Sequence, residues 1–208
     1  MSVRTLTKGE QTRERILELA QASVLQKGFA GTSLDEIIAG AGITKSGFFY
    51  HFSDKNDLAK ALLERYLDYE ETLFSGLFKK ADELSDDPLH SFLIFLKLFA
   101  DVAADLEHGH PGCLVASYVY QDHLFNQDVR ELNAEGMRIW RERFKARLEA
   151  IAERYPPKIE VDLETLADMV TGVVDGGIII SKCLREPAVL PRQVMHYRAF
   201  IKAIFLGA

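Results

Sequence analysis

Apolar side chains recur at spacings of three and four along almost the whole chain, and no stretch of useful length alternates apolar with polar residues. That pattern restricts the fold to packed helices, because a strand buries every second residue and a helix every third or fourth. Proline points the same way. None occurs before Pro88, and the six, at 88, 111, 156, 157, 187 and 191, stand beside turn-like or charged segments, where they separate helices. There is no internal repeat and no low-complexity run. The chain is predicted to be all-α, with about nine helices.

Capping residues set the expected boundaries. From Thr7 to Phe29 the residues Ile16, Leu17, Ala20, Val24 and Leu25 share one stripe, with Thr7 and Glu10 as a capping box and Gly28 as a stop. Ser33-Leu-Asp-Glu36 matches a second box and opens a short helix through Ile37 and Ile38 that fades at Gly40 and Gly42. Thr44 is placed to cap a third short helix reaching His51. Asp54 then caps a long fourth helix whose Leu58, Ala61, Leu62, Tyr66, Tyr69 and Leu73 form one stripe. Further helices are expected from His90 to Leu106, Cys113 to His123 and Gln127 to Arg154, and over 161–185 and 191–206.

Composition narrows the class. At 208 residues, 48% hydrophobic and 27% charged, the chain carries enough apolar mass for a real core, as one large domain or a small domain plus a larger one. Charge interrupts the apolar stretches before the ~18 residues a membrane span needs, and residues 1–5 lack a signal-peptide pattern, so a cytoplasmic protein with no membrane partner is expected. Cys113 and Cys183 have neither the number nor the spacing of a disulfide scaffold or a four-cysteine zinc site, and free thiols are expected. A net charge of -6 argues against coating nucleic acid by bulk positive charge. The acidity is uneven, however. Residues 1–56 hold seven Lys/Arg against six Asp/Glu, whereas residues 57–208 hold eighteen against twenty-five. A near-neutral first quarter binds phosphates if its basic groups share a face.

Two short helices joined by a glycine-containing turn, between longer helices, describe a helix-turn-helix unit. Its second short helix enters the DNA major groove, so small and polar residues belong at its start. Thr44, Lys45, Ser46 and Gly47 stand there, suited to reach base edges or phosphates and to let the backbone approach. In the run that follows, helical spacing puts Phe48 and Phe52 on one face, expected to be core, and Phe49 and Tyr50 on another.

These segments, Thr32-Ser-Leu-Asp-Glu-Ile-Ile-Ala-Gly-Ala-Gly-Ile43, Thr44-Lys-Ser-Gly-Phe-Phe-Tyr-His-Phe52 and Ser53-Asp-Lys-Asn-Asp-Leu58, resemble the Tet repressor family of bacterial transcription regulators. The spacing from Thr12-Arg-Glu-Arg-Ile-Leu17 and Gly28-Phe29 agrees, so the likeness covers roughly residues 10–58. Beyond it the chain matches as a pattern of helices. The resemblance implies DNA contacts at Thr44, Lys45 and Ser46, phosphate donors at Tyr50, His51 and Lys55, and a contact as well as a cap at Ser33. Gly47 lies where many members have Thr, and Phe49 where many have Tyr, so one polar base contact and one phosphate hydrogen bond are altered. The implied organisation is a DNA-binding domain over 1–54 and a ligand-binding and dimerisation domain over 55–208.

A single helix-turn-helix reads a short half-site, so useful specificity implies a homodimer on a palindromic double-stranded DNA operator. By resemblance the dimer forms through 161–185 and 191–206. Gly172, Gly176 and Gly177 each cost about 1 kcal/mol relative to alanine in a helix interior, and close helix approach explains them, either to a second copy beside Ile180 or within one chain. The resemblance also implies a pocket for a small effector between helices of 55–155. Tyr66, Phe95, Phe99, Tyr118, Met137, Trp140, Phe144 and Met169 are its candidate lining, and their chemistry suggests an apolar or aromatic molecule. The whole reads as a repressor released from its operator by that effector.

Other readings fare less well. His108, His110 and Cys113 could supply metal ligands, but their spacing is no signature, and neither metal nor cofactor is expected. Cys113, near a helix N-terminus, could sense electrophiles or redox state, although a small buried residue is the plainer reading. An all-α enzyme would need an acid–base site from His51, His123 and carboxylates. No catalytic residues are assigned, because no nucleophile elbow, phosphate-binding loop or metal motif supports one. A nucleoid-type DNA binder is disfavoured by the acidity and size of the C-terminal part.

Overall fold

The computed structural model describes residues 6–207, so residues 1–5 lie outside the described part. Among the described residues nine α-helices and one 3₁₀ turn form, with no strand. Helix α1 spans Lys8–Gly31, opened by the Thr7–Glu10 capping box. Gly28 breaks its regular backbone at φ 75° and ψ 165°, a conformation that favours glycine, and one further turn follows. Helices α2 (Leu34–Ala41) and α3 (Lys45–His51) are joined through Gly42, held left-handed at φ 67°. Helix α4 (Lys55–Leu84) begins where Asp54 accepts the Asp57 N–H at 2.8 Å and the Asp57 carboxylate accepts the Ser53 N–H at 2.9 Å.

Helix α5 (Pro88–Ala104) starts with Asp87 accepting the His90 N–H and with proline in the first turn, where no backbone donor is required. Helix α6 covers Leu114–Val119, shorter than the expected reach to His123, because the chain leaves helical geometry at Gln121 and tightens into the 3₁₀ turn Asp122–Leu124. Helices α7 (Gln127–Arg154), α8 (Leu163–Leu184) and α9 (Val189–Leu206) complete the chain. Pro191 falls in the first turn of α9, so that helix starts earlier than the expected 191.

Packing divides the chain into two compact units, Met1–Asp68 with Cys113–Ala134, and Tyr69–Gly112 with Glu135–Ala208. This differs from a boundary at 54/55, and the reason lies in side chains of α6 and the turn after it. The Tyr118 ring stacks on Phe125 at 4.3 Å and meets Phe29 edge-on, and its hydroxyl donates to the Ala59 carbonyl at 2.9 Å. Asn126 donates its N–H to Asn56. Buried Ile16, Leu17, Ala20, Ile37, Phe48, Phe52, Leu58 and Leu62 belong to this first core.

In the second unit α9 packs on both α5 and α8. The Tyr197 hydroxyl donates to the Leu166 carbonyl at 2.8 Å and Arg198 donates to the Leu93 carbonyl at 2.8 Å. Rings of Phe74, Phe78, Phe92, Phe95, Phe99, Trp140 and Phe144 form a contiguous aromatic core, with Phe78 and Phe95 stacked at 3.8 Å. No helix among the described residues is long and apolar enough to cross a membrane.

Candidate nucleic-acid interface

Helix α3 is built so that its apolar side is consumed by the core and its other side is left to solvent. Phe48 and Phe52 are buried, with rings 5.6 Å apart, as their spacing predicts. Phe49 is 44% exposed and Tyr50 84% exposed, a large aromatic surface for a helix this short. Phe49 leans edge-on against Phe48, and Tyr50 meets His51 edge-on at 5.0 Å. Lys45 and Ser46 are exposed at the start of the helix, and Gly47 and His51 are half-buried.

The N-terminal turn is held by Thr44, whose hydroxyl accepts the Gly47 N–H at 3.1 Å and lies 3.0 Å from the Ser46 hydroxyl. A Cβ at Gly47 would come within 3.3 Å of that same Thr44 oxygen. Glycine therefore keeps the cap tight and the backbone open at the tip of the helix. Helix α2 presents a different picture. Ser33 occupies the capping position, but its hydroxyl makes no cap hydrogen bond, and Glu36 pairs with Lys27 instead of completing the expected box.

Lys55 also departs from expectation. Its ammonium donates to the Phe29 carbonyl at 2.9 Å and lies 4.5 Å from the centre of the Phe29 ring. Burial holds its pKa below the usual lysine value. As placed, Lys55 closes the corner between α1 and α2 rather than reaching outward for a phosphate. Gln121 secures the same corner: its carboxamide oxygen accepts the Ala30 N–H at 2.8 Å, and its nitrogen would stand 2.5 Å from a Cβ at Gly28. No local pattern signals a partner ninety residues downstream, which is why the sequence alone does not single out Gln121.

A family model described as "Bacterial regulatory proteins, tetR family" matches residues 16–62, the stretch that contains α2, α3 and the start of α4. The HTH-type transcriptional regulator AcrR of Shigella flexneri is 38% identical over 64 residues, covering 31% of this chain and 30% of that protein. The HTH-type transcriptional repressor KstR2 of Mycobacterium tuberculosis is 26% identical over 159 residues, covering 73% of this chain and 72% of that protein. The fold extends the likeness to the whole chain. A TetR-family regulator from Agrobacterium tumefaciens superposes with a TM-score of 0.78 at 20% identity, over 95% of this chain and all of that one. Residues 16–62 thus match the TetR family by sequence, and the whole chain shares the fold of TetR-family regulators. A TetR transcriptional regulator from Chloroflexus aurantiacus gives a TM-score of 0.77 at 24% identity, over 95% and 97% of the two chains. The chain spans less than half of the first curated relatives it matches, 30% of AcrR and 48% of the probable regulator ArpR from Pseudomonas putida.

Within this TetR-family fold the residues expected around an effector fall into separate groups. Phe95, Phe99, Trp140 and Phe144 belong to the aromatic core of the second unit. Tyr118 is an anchor of the first unit, its hydroxyl committed to Ala59 and its pKa raised by burial. Tyr66 is also buried in the first unit. Met137 and Met169 lie at the surface, 37% and 38% exposed, and not in a core.

The three glycines of α8 also separate. A Cβ at Gly177 would stand 2.9 Å from Leu190 Cδ1 and 3.2 Å from its Cα, so this residue lets α9 approach within one chain. Gly172 and Gly176 have nothing within 4 Å of a Cβ. With Met169, Val173, Gly177 and Ile180 of α8 and Gln193 of α9 they line a hollow of about 270 Å³.

His110 Nδ1 accepts the Gly112 N–H at 3.2 Å, and Cys113 caps α6 by accepting the Ala116 N–H at 3.4 Å. The Cys113 thiol is buried and Cys183 is exposed. Among the described residues no group of three or more His, Cys, Asp or Glu could hold a metal ion.

Proposed function

We propose that the chain is a DNA-binding regulator of transcription, a repressor that occupies a palindromic operator as a homodimer and leaves it when a small apolar or aromatic effector binds. The observation that carries this reading is the exposed face of α3, where Lys45, Ser46, Phe49 and Tyr50 project from a helix whose Phe48 and Phe52 are locked in the core. That face lies in the segment matched by the TetR family model. Backbone and ring donors position such a helix on phosphates, while its first turn reads base edges. Residues 1–54 would carry DNA binding and residues 55–208 the effector and dimer functions, in a cytoplasmic protein.

Support for dimerisation comes from the hollow along α8 beside Gln193 of α9, where Met169, Gly172, Val173, Gly176 and Ile180 leave a largely apolar surface open at two glycines. The aromatic effector is suggested by the concentration of rings in the second unit, which pack on one another and would have to part to admit such a molecule. The effector acts only through its difference in affinity between the operator-competent and operator-incompetent states. Selection of bound duplexes from a randomised pool tests the proposal without knowledge of the target gene. Enrichment of a sequence with dyad symmetry is expected, and failure to enrich any sequence would overturn it.

A further inference from the structure

We propose that Arg13 of α1 is a further phosphate-contacting residue of the DNA-binding surface, held beside the end of α3 by the ring of Phe52. The proposal rests on the DNA-binding reading above. The guanidinium carbon lies 5.2 Å from the centre of the Phe52 ring, and Phe52 is the residue at which α3 ends. From there a row of rings leads to the exposed face of the helix. Phe52 and His51 lie 6.4 Å apart, and His51 meets Tyr50 at 5.0 Å.

Among the described residues, the carboxylates that neighbour Arg13 in sequence are engaged elsewhere. Glu10, one turn before it, closes the α1 cap by accepting from the Thr7 N–H at 2.8 Å. Glu14, beside it, pairs with Arg65 at 3.1 Å. No carboxylate among the described residues pairs with Arg13 itself. Three basic groups of the same unit are engaged instead: Lys27 with Glu36, Lys55 with the Phe29 carbonyl, and Arg15 with the Gly40 carbonyl at 3.0 Å.

Stacking on a ring uses the flat face of a guanidinium and leaves its N–H edges free. Those edges match a phosphate in two-point geometry, and a side chain already held in place loses less freedom when it binds one. A purely structural alternative exists, in which Arg13 only shields Phe52 and offsets the negative end of α3. The two roles differ in salt dependence. A phosphate contact releases a counterion on binding, and a shield does not.

The test uses wild type, Arg13→Ala and Arg13→Gln, each titrated by fluorescence anisotropy onto a short mixed-sequence duplex between about 50 and 200 mM salt. Circular dichroism of each variant shows whether it is folded, and Arg13→Gln, which keeps the length and loses the charge, carries the test should the alanine variant unfold. The slope of log affinity against log salt is expected to fall by about 0.9 in magnitude in both neutral variants. An unchanged slope in a folded variant, with wild type binding normally, overturns the role of Arg13 and leaves the DNA-binding reading standing. Absence of any wild-type binding to the duplex at low salt overturns the DNA-binding reading and the Arg13 proposal with it.

Discussion

Lys45 and Lys55 look equivalent in the sequence, each a lysine at the start of a helix in a helix-turn-helix unit, yet the fold uses them differently. Lys45 is exposed, whereas the Lys55 ammonium is tied to the Phe29 carbonyl and ring. Lys45→Ala is therefore expected to weaken DNA binding and lower its salt slope by about one contact without moving the thermal midpoint. Lys55→Ala is expected to destabilise the fold by about 1 kcal/mol, because it frees a carbonyl and removes a cation from a ring. Paired melting and salt titrations separate them, and equal effects of both variants on the salt slope, with neither melting early, would contradict the assignment. Phe49 offers a gain-of-contact check: its ring is exposed, so Phe49→Tyr is expected to tighten duplex binding severalfold by adding a phosphate donor, with an unchanged affinity as the contrary result. Burial of Phe48 and Phe52 and the cap at Thr44 were legible from spacing alone. The fate of Lys55 was not, because a lysine's partner 26 residues away depends on how α1 ends.

At the scale of elements, Gly172, Gly176 and Gly177 form one sequence cluster, and the packing of α8 against α9 divides it. Gly177→Val would push a side chain onto Leu190 and is expected to cost about 1–3 kcal/mol in the single chain, with a lower thermal midpoint. A Cβ at Gly176 would have nothing within 4 Å, so Gly176→Val is expected to fold normally while shifting the proposed dimer toward monomer in sedimentation. An intact dimer from Gly176→Val, or a Gly177→Val protein as stable as wild type, would refute this division. The loop between α5 and α6 adds a pH dependence. Burial first, and the Lys182 charge second, hold His110 below the ordinary histidine value, and its Nδ1 accepts a backbone N–H. The unfolded chain therefore takes up a proton near pH 6.5 while the folded loop resists it, so this contribution is complete above that pH and is lost as pH falls below it. Wild type is expected to lose more stability than His110→Gln between pH 7.5 and 5.5, and equal losses in denaturant titrations would contradict this. Helix α7 was legible to the residue, because its stripe is long and Pro156 and Pro157 end it. Helix α6 was overextended, since Gln121 is drawn out of helical geometry while its side chain bonds to Ala30.

At the scale of the whole molecule, periodicity and the placement of proline made the all-helical class legible, and the helix-turn-helix spacing made the likeness to the TetR family legible over the first quarter of the chain. The grouping of Cys113–Ala134 with the N-terminal helices was not legible, because it depends on Tyr118 and Phe125 meeting Phe29 across long stretches of chain. The same limit applied to the effector residues, where aromatic spacing marks burial but does not distinguish a packed ring from one that faces a ligand. The proposed function unites the molecule as a dimer that binds DNA sequence-specifically, and one experiment addresses it. Fluorescence anisotropy compares the intergenic DNA beside the chain's own gene with a scrambled duplex across a salt series. Binding in the nanomolar range, about 4 kcal/mol or more tighter than to the scrambled duplex, with two protomers per duplex, is the expected result. Equal, weak binding to both duplexes at every salt concentration would contradict it.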